Sequence, residues 1–295
     1  NGTTRDDWEQ KGHTGNINIA EGYIMKSTGR APQNYTFVGT PNDGAIAKTV
    51  VAKTSSLVGN PYPSVLNSQR FIQDNNGVLD GTLYFWEHTG ESTTTDIQVE
   101  GHGKYGYIGG YSQRNEVMGI AANSVITGTS GLGNTTYTSP PENIAVAQGF
   151  FVTASSGGTF LFKNSQRSYN ANNYFFKGQS SQKIIPNFKL GFDYINYINT
   201  GIHRQLGINF KEGNTFNYES GFDSETFDLQ ETDVYWDFPG IESNLIIAGV
   251  GTIDTQLQIP LGLVIDSDKP VKLMIDEKEN MDGYGIYLVD LLTGQ

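Results

Sequence analysis

The sequence predicts an all-β protein: two packed antiparallel β-sandwich domains, jelly-roll-like, with one short helix. Three observations lead there. Short segments alternate apolar and polar residues along much of the chain, as half-buried strands do. Gly, Asn, Asp and Pro separate those segments at close intervals, and 36 of the 295 residues are glycine. Aromatics reach 12% while charged residues make up only 17%, a balance that suits turn-rich β-structure and not a disordered chain.

Strands are expected at 22–28, 34–40, 46–54, 57–60, 81–88, 104–112, 149–156 and 158–164. The second half adds 187–195, 203–210, 233–238, 245–251, 256–265, 271–276 and 284–292. The one amphipathic helix candidate is 63–75, with Ser64 as its cap and Val65, Leu66, Phe71 and Ile72 at approximate helical spacing. It follows Asn60-Pro61-Tyr62-Pro63, where two prolines stop a strand and predict a tight corner. The aromatic-Pro bond there is a setting for a cis peptide. An Asn/Ser/Gln-rich stretch at 165–185 interrupts the strand rhythm. It divides the chain into a first sandwich over 1–165, a linker or crossover over 166–185 and a second sandwich over 186–295. Segments 89–103 and 113–146 are long loops, the part of a sandwich that usually meets ligands.

A net charge of −12 disfavours nucleic acid and anionic membrane surfaces, which both need a basic face. The chain has no cysteine, which removes disulfide scaffolds and thiolate zinc sites. No apolar run reaches the roughly 18 residues of a membrane-spanning helix. No signal peptide opens the chain, and the whole reads as a piece of a longer precursor.

Tests for catalytic chemistry return little. "GHGKYG" (101–106) matches G-x-G-x-x-G in letters, but no helix follows to hold a pyrophosphate, so it reads as a glycine-rich turn. There is no cysteine nucleophile and no G-x-S-x-G elbow. His13, His88, His102 and His203 are scattered, without metal-ligand spacing. Glu87, Asp96 and Glu100 lie near aromatics and are the best pair material for a glycosidase, against a plain reading as solvated acids. The chain is therefore expected not to be an enzyme.

Two constellations remain. "ESGFDSETFDLQETD" (219–233) holds six acids and no base. Clustered carboxylates suit a hard cation, so Asp223, Glu225, Asp228 and Asp233 are candidate ligands for Ca²⁺; the alternative is an acidic surface loop. The spacing is not that of an EF-hand. The second constellation is aromatic. Trp86, Tyr105, Tyr107 and Tyr111 are the candidate ligand-binding residues, because an open ring face stacks on the C–H face of a sugar. The alternative for them is core packing or cross-strand pairing.

The order of several motifs resembles a region that precedes the type IX secretion sorting domain in large secreted proteins of Bacteroidetes, especially flavobacteria. The motifs are L-V-G-N-P-Y-P-S at 57–64, T-L-Y-F-W at 82–86, Q-G-F-F-V at 148–152 and N-S-Q-R at 164–167. Ala147 stands where that family often has Gly. "HRQLGINF", "DVYWDF", "QIPLGLVID" and "GIYLVDLLTG" match its later strands. The resemblance covers most of the chain and implies export to the cell surface or medium, through secretion machinery that reads a sorting domain lying outside this sequence. It carries no catalytic residues. The expected function is a non-catalytic extracellular binding or adhesion module, with glycan as the leading ligand class. A structural stalk presenting an upstream adhesin or enzyme is the alternative, and a polysaccharide-degrading enzyme comes third. Within the resemblance, Asn164, Ser165 and Arg167 are expected to tie a loop to the core.

Overall fold

In a computed structural model of the chain, the described residues are 8–9, 11, 15–24, 36, 38–91, 107–126, 139–168, 185–196, 199–266 and 268–291. The protein is all-β, and its described residues hold one α-helix. In chain order the first half contributes β1 (Ile46–Val50), β2 (Ser55–Gly59), β3 (Val65–Asn67), α1 (Ser68–Asp74), β4 (Leu79–Glu91), β5 (Tyr107–Arg114), β6 (Gly119–Ile120), β7 (Ser124–Val125), β8 (Asn143–Ile144), β9 (Gly149–Ala154), β10 (Gly158–Phe162) and β11 (Arg167–Ser168). The second half contributes β12 (Asn187–Ile195), β13 (Gly201–Phe210), β14 (Ser224–Glu225), β15 (Asp233–Trp236), β16 (Leu245–Val250), β17 (Leu261–Val264) and β18 (Lys272–Glu279).

Three sheets belong to the first half: a five-stranded one ordered β2-β9-β4-β5-β6, the pair β1-β10, and β11-β3-β8. They and α1 enclose a core around Phe71, Phe150, Phe160 and Phe162. Phe71 comes from the helix and meets the other three rings at 4.9 to 5.9 Å. The second half is one larger sheet, β17-β15-β16-β13-β12-β18, with β14 and β7 added at the side. Its pairings are antiparallel except β13 with β16, which run parallel. β16 is buried along its whole length, and with Phe188, Leu206, Ile208 and Trp236 it forms a second core. The Trp236 indole N–H donates to the Gly207 carbonyl at 2.7 Å, so burial leaves it satisfied.

The corner at 60–63 is built with trans peptides throughout, which corrects the cis expectation. Asn60 does the turning. Its Oδ1 accepts from the Tyr62 amide at 3.1 Å, and its Nδ2 donates to the Ser64 and Ala145 carbonyls at 2.9 and 3.0 Å. Tyr62 is buried and its hydroxyl donates to the Gly44 carbonyl. Arg167 closes the corner, donating to Ser64 Oγ at 2.9 Å and to Asn164 Oδ1 at 3.3 Å, with its guanidinium 5.2 Å from the Tyr62 ring centre. The P-Y-P and N-S-Q-R motifs are thus two sides of one junction.

The helix is shorter than the sequence suggested. Val65 and Leu66 belong to β3, and the N-cap is Asn67, whose Oδ1 accepts from the Arg70 amide at 2.9 Å, not Ser64. The described parts of 22–28 and 34–40 carry no strand; Glu21 makes a single bridge to Val58. The expected strand at 284–292 is also absent from its described residues. Asn280 (φ 52°) and Gly283 (φ 84°) take left-handed conformations that turn the chain out of β18. Met281 and Ile286 then pack on the second core.

The two halves interlock. Met118 and Ile120, from the first half, belong to the second core, and β7 pairs with β13. In return, residues 219–228 reach back onto the first half. Gly81 (φ +91°) lies so close to Gly221 that a Cβ there would collide with the Gly221 amide nitrogen. Only glycine permits that crossing of backbones. Around it, Thr82 Oγ1 donates to Ser224 Oγ, Ser220 Oγ to the Asp80 carbonyl, and Asn115 Nδ2 to the Phe222 carbonyl, at 2.7 to 2.9 Å.

Candidate functional site

The five-stranded sheet has a buried face and an open one, and side chains alternate between them. Leu83, Phe150 and Val152 point into the first core. Tyr84, Trp86, Tyr111 and Phe151 fall on the other face, and the register sets Trp86 opposite Tyr111 and Tyr84 opposite Phe151. The Trp86 and Tyr111 rings meet edge-on at 5.2 Å, and Tyr111 meets Phe151 at 5.6 Å. Phe227, from the acidic segment, sits 4.5 Å from Tyr111 and 4.7 Å from Tyr84. Trp8 adds an edge contact to Phe151 at 6.2 Å.

This face is not sealed. Trp86 is 58% exposed, Trp8 51% and Phe227 37%, while Tyr111 and Phe151 are half-buried between them. Burial and the nearby Asp228 charge push the Tyr111 hydroxyl above its ordinary range, so it stays protonated. The arrangement presents one open indole, propped by aromatic edges, at the rim of an apolar patch. Such a surface can stack on flat apolar faces of a ligand.

Of the four aromatics singled out in the sequence, the structure brings Trp86 and Tyr111 together. Tyr107 opens β5 and Tyr105 lies outside the described residues. Asp96 and Glu100 also lie outside them. Glu87 points away from Trp86; burial raises its carboxyl against a hydrogen bond from the Ala122 amide. Phe151, Phe227 and Trp8 were missed. Alternation could have supplied Phe151, since Phe150 and Phe151 must face opposite ways. Phe227 and Trp8 arrive by tertiary contact and leave no local signal.

The acidic segment is a strap between the halves. Asp223 is fully buried and accepts from the Gly249 and Glu219 amides, each at 2.6 Å. Asp233, also fully buried, accepts from the Gln230 and Val234 amides. Asp228 and Asp233 come together on Arg204, at 3.2 Å from Nη1 and 2.9 Å from Nε. Glu225 stands apart and exposed. Among the described residues, no group of three or more His, Asp or Glu is gathered as a metal centre would be. Burial raises the Asp223 carboxyl to about 7, against its two amide donors. Burial likewise raises Asp80 to about 7; it accepts from the Thr82 amide and the Tyr84 hydroxyl.

A further buried network lies behind the strap. His203 is held between Asp193 (2.6 Å) and Asp276 (2.9 Å). Burial opposes its charge, but hydrogen bonds and charge from the two carboxylates outweigh this and raise its pKa. Gly191 makes room, because a Cβ there would meet both Asp276 and His203. His203 is thus a packed, doubly paired residue of the sheet.

A family model described as a domain of unknown function, DUF8693, matches residues 1–295. The chain belongs to the DUF8693 family. No curated protein and no solved structure matches it. The candidate site of this DUF8693 domain therefore rests on its own geometry: an open aromatic face, bordered by a strap whose buried acids fix Phe227 over it.

Proposed function

We propose that this DUF8693 domain is a non-catalytic binding module of an exported bacterial surface protein, and that it meets its ligand on the aromatic face around Trp86. The leading ligand class is glycan. The observation that carries the reading is Trp86 itself. An indole costs free energy to leave in water, yet this one is 58% exposed while Tyr111 holds its ring in place. Pre-ordered aromatic rings bind with little loss of side-chain freedom.

A glycan array, run with Ca²⁺ and with EDTA, tests this, followed by titration of tryptophan fluorescence with any hit. The expected result is a saturable change that Trp86→Ala removes. No bound glycan in either condition would sink the reading. Loss of binding only in EDTA would bring the acidic segment back as a cation site. A second reading, a rigid spacer that presents neighbouring domains before a sorting signal, is favoured by the interlock at Gly81 and Gly221. It predicts an empty array together with a single cooperative unfolding transition for both halves.

A further inference from the structure

Among the described residues two arginines lie between the halves, Arg204 buried and Arg114 partly exposed, and they are treated differently. Arg204 has two carboxylates in contact. Arg114, at the end of β5, has neutral acceptors only: its Nε donates to Ser68 Oγ at 3.0 Å and its Nη1 to the Pro140 carbonyl at 2.9 Å. Among the described residues no carboxylate lies within ion-pair distance of it. Glu142 acts on it only through space, and accepts instead from Asn67 Nδ2 at 2.6 Å. Burial lowers the Arg114 guanidinium to about 10. A partly buried guanidinium held by neutral acceptors keeps its charge available to an anion that can reach it.

Arg114 opens onto a cavity of about 220 Å³ between the two halves, lined also by Met118, Ser139, Asn187, Lys189 and Glu279. The other polar groups have partners but are not saturated. Lys189 Nζ donates to Ser139 Oγ at 2.9 Å and pairs with Glu277 at 2.8 Å. Asn187 Nδ2 donates to Glu279 at 3.1 Å. The site therefore offers two cations, a hydroxyl and an amide, with Glu279 in the wall and Glu277 on Lys189 set against them, so Arg114 is the cation without a carboxylate in contact. That mixture suits a single negative charge with hydroxyl groups beside it. A phosphate dianion would meet Glu279 at close quarters.

We infer that this cleft is a binding site for a small carboxylate ligand, with the anion on Arg114 and Lys189 and its hydroxyls on Ser139 and Asn187. The cavity is below the size of a drug-like pocket, so the ligand is one carboxylate unit. That unit is either a free hydroxy acid or one uronate residue of a polymer. The site is separate from the aromatic face, so Trp86→Ala should leave it unchanged.

Thermal unfolding and calorimetric titration at fixed ionic strength test it, with acetate, glucuronate and a uronate tetramer as probes and chloride and sulfate as controls. A saturable rise in melting temperature with glucuronate, larger than with acetate, is expected. A tetramer that binds more tightly than glucuronate would place the source in a polymer, and equal binding would place it in a free acid. Arg114→Gln should weaken glucuronate about tenfold or more, the usual size of a lost charged hydrogen bond. Lys189→Gln should weaken it less, because Lys189 is already paired with Glu277, and should still fold. Should Arg114→Gln fail to fold, the wild type and Lys189→Gln decide the matter. Absence of saturable binding by all three carboxylates, an equal response to chloride or sulfate, or glucuronate binding unmoved by Lys189→Gln would overturn the assignment.

Discussion

Phe150 and Phe151 are neighbours on β9 and belong to different worlds. Phe150 is sealed in the first core, with Phe71 and Phe85 each 5.7 Å from its ring. Phe151 lies on the open face with Tyr111, Phe227 and Trp8. The two faces of one sheet carry the same residue types at similar ring spacings. What separates them is the cover. Helix α1, β1 and β10 close the inner face, whereas among the described residues the strap and Trp8 are what lie against the outer face, and Trp86 stays 58% exposed. Aromatic density alone therefore does not distinguish a core from a platform; the layer above it does.

The comparison can be broken most directly at that pair. Phe150→Ala should cost about 3–5 kcal/mol, as large-to-small changes in closed cores do. Phe151→Ala should cost about 1–2 kcal/mol, because its cavity opens to solvent and the rings around it can shift. Urea midpoints at unchanged slope measure both. Equal losses would mean that the outer face is as tightly packed as the inner one, and the platform would lose its basis.

The second test moves to the strap that places Phe227 on the outer face. Arg204→Met leaves Asp228 and Asp233 facing each other without a cation. A loss of about 3 kcal/mol is expected, within the range for a broken buried ion pair. Hydrogen exchange should show amides of 223–233 and 109–112 opening while those of β9 and β10 stay protected. Uniform loss of protection would mean that strap and inner core form one cooperative unit.

How much of this was legible beforehand follows the range of the interactions. Strands 187–195 and 46–50 could be read because alternation and turn residues are local signals. The pairing of Trp86 with Tyr111 was half-legible: both were singled out, but their register is a long-range fact. The acidic segment was visible as a cluster, and its hydrogen-bond and ion-pair partners were not. Asp223 and Asp233 spend their oxygens on backbone amides, and Asp228 and Asp233 share Arg204, a residue about 25 to 30 positions away whose sequence neighbourhood, "HRQLGINF", looks like any buried strand. The crossing of Gly81 and Gly221 was hidden for the same reason. Two glycines among 36 carry no mark until the fold brings them together.

The third test is pH. Asp80 and Asp223 are held near 7 in the folded chain by burial, against 3.8 when free. Between about pH 4 and 7 the native state keeps protons that the unfolded chain has released, so stability falls as pH rises through that window and levels off above it. His203 acts in the same direction. Its folded pKa is raised, so the stability from its two carboxylate partners is complete below 6.5 and fades as pH rises through the folded value. Urea unfolding should therefore give a more stable protein at about pH 5 than at about pH 8. Asp80→Asn keeps an acceptor for the Thr82 amide and should flatten part of that slope. A slope identical to the wild type would show that the Asp80 carboxyl is already ionised in the native state near neutrality.

The smallest expected effect on stability is the most informative about the outer face. Trp86→Ala removes a large ring, but one that is 58% exposed and meets Tyr111 edge-on. Little apolar area returns to water, so the change should stay within about 0.5 kcal/mol, as surface substitutions usually do. Fluorescence should simplify at the same time, because buried Trp236 then dominates together with Trp8. A loss of 2 kcal/mol or more, on the order of a sealed core residue, would mean that Trp86 is packed as part of the fold, and its exposure would no longer argue for a ligand. Near-neutral stability together with lost ligand response would leave binding as the reason an indole stands open on this sheet.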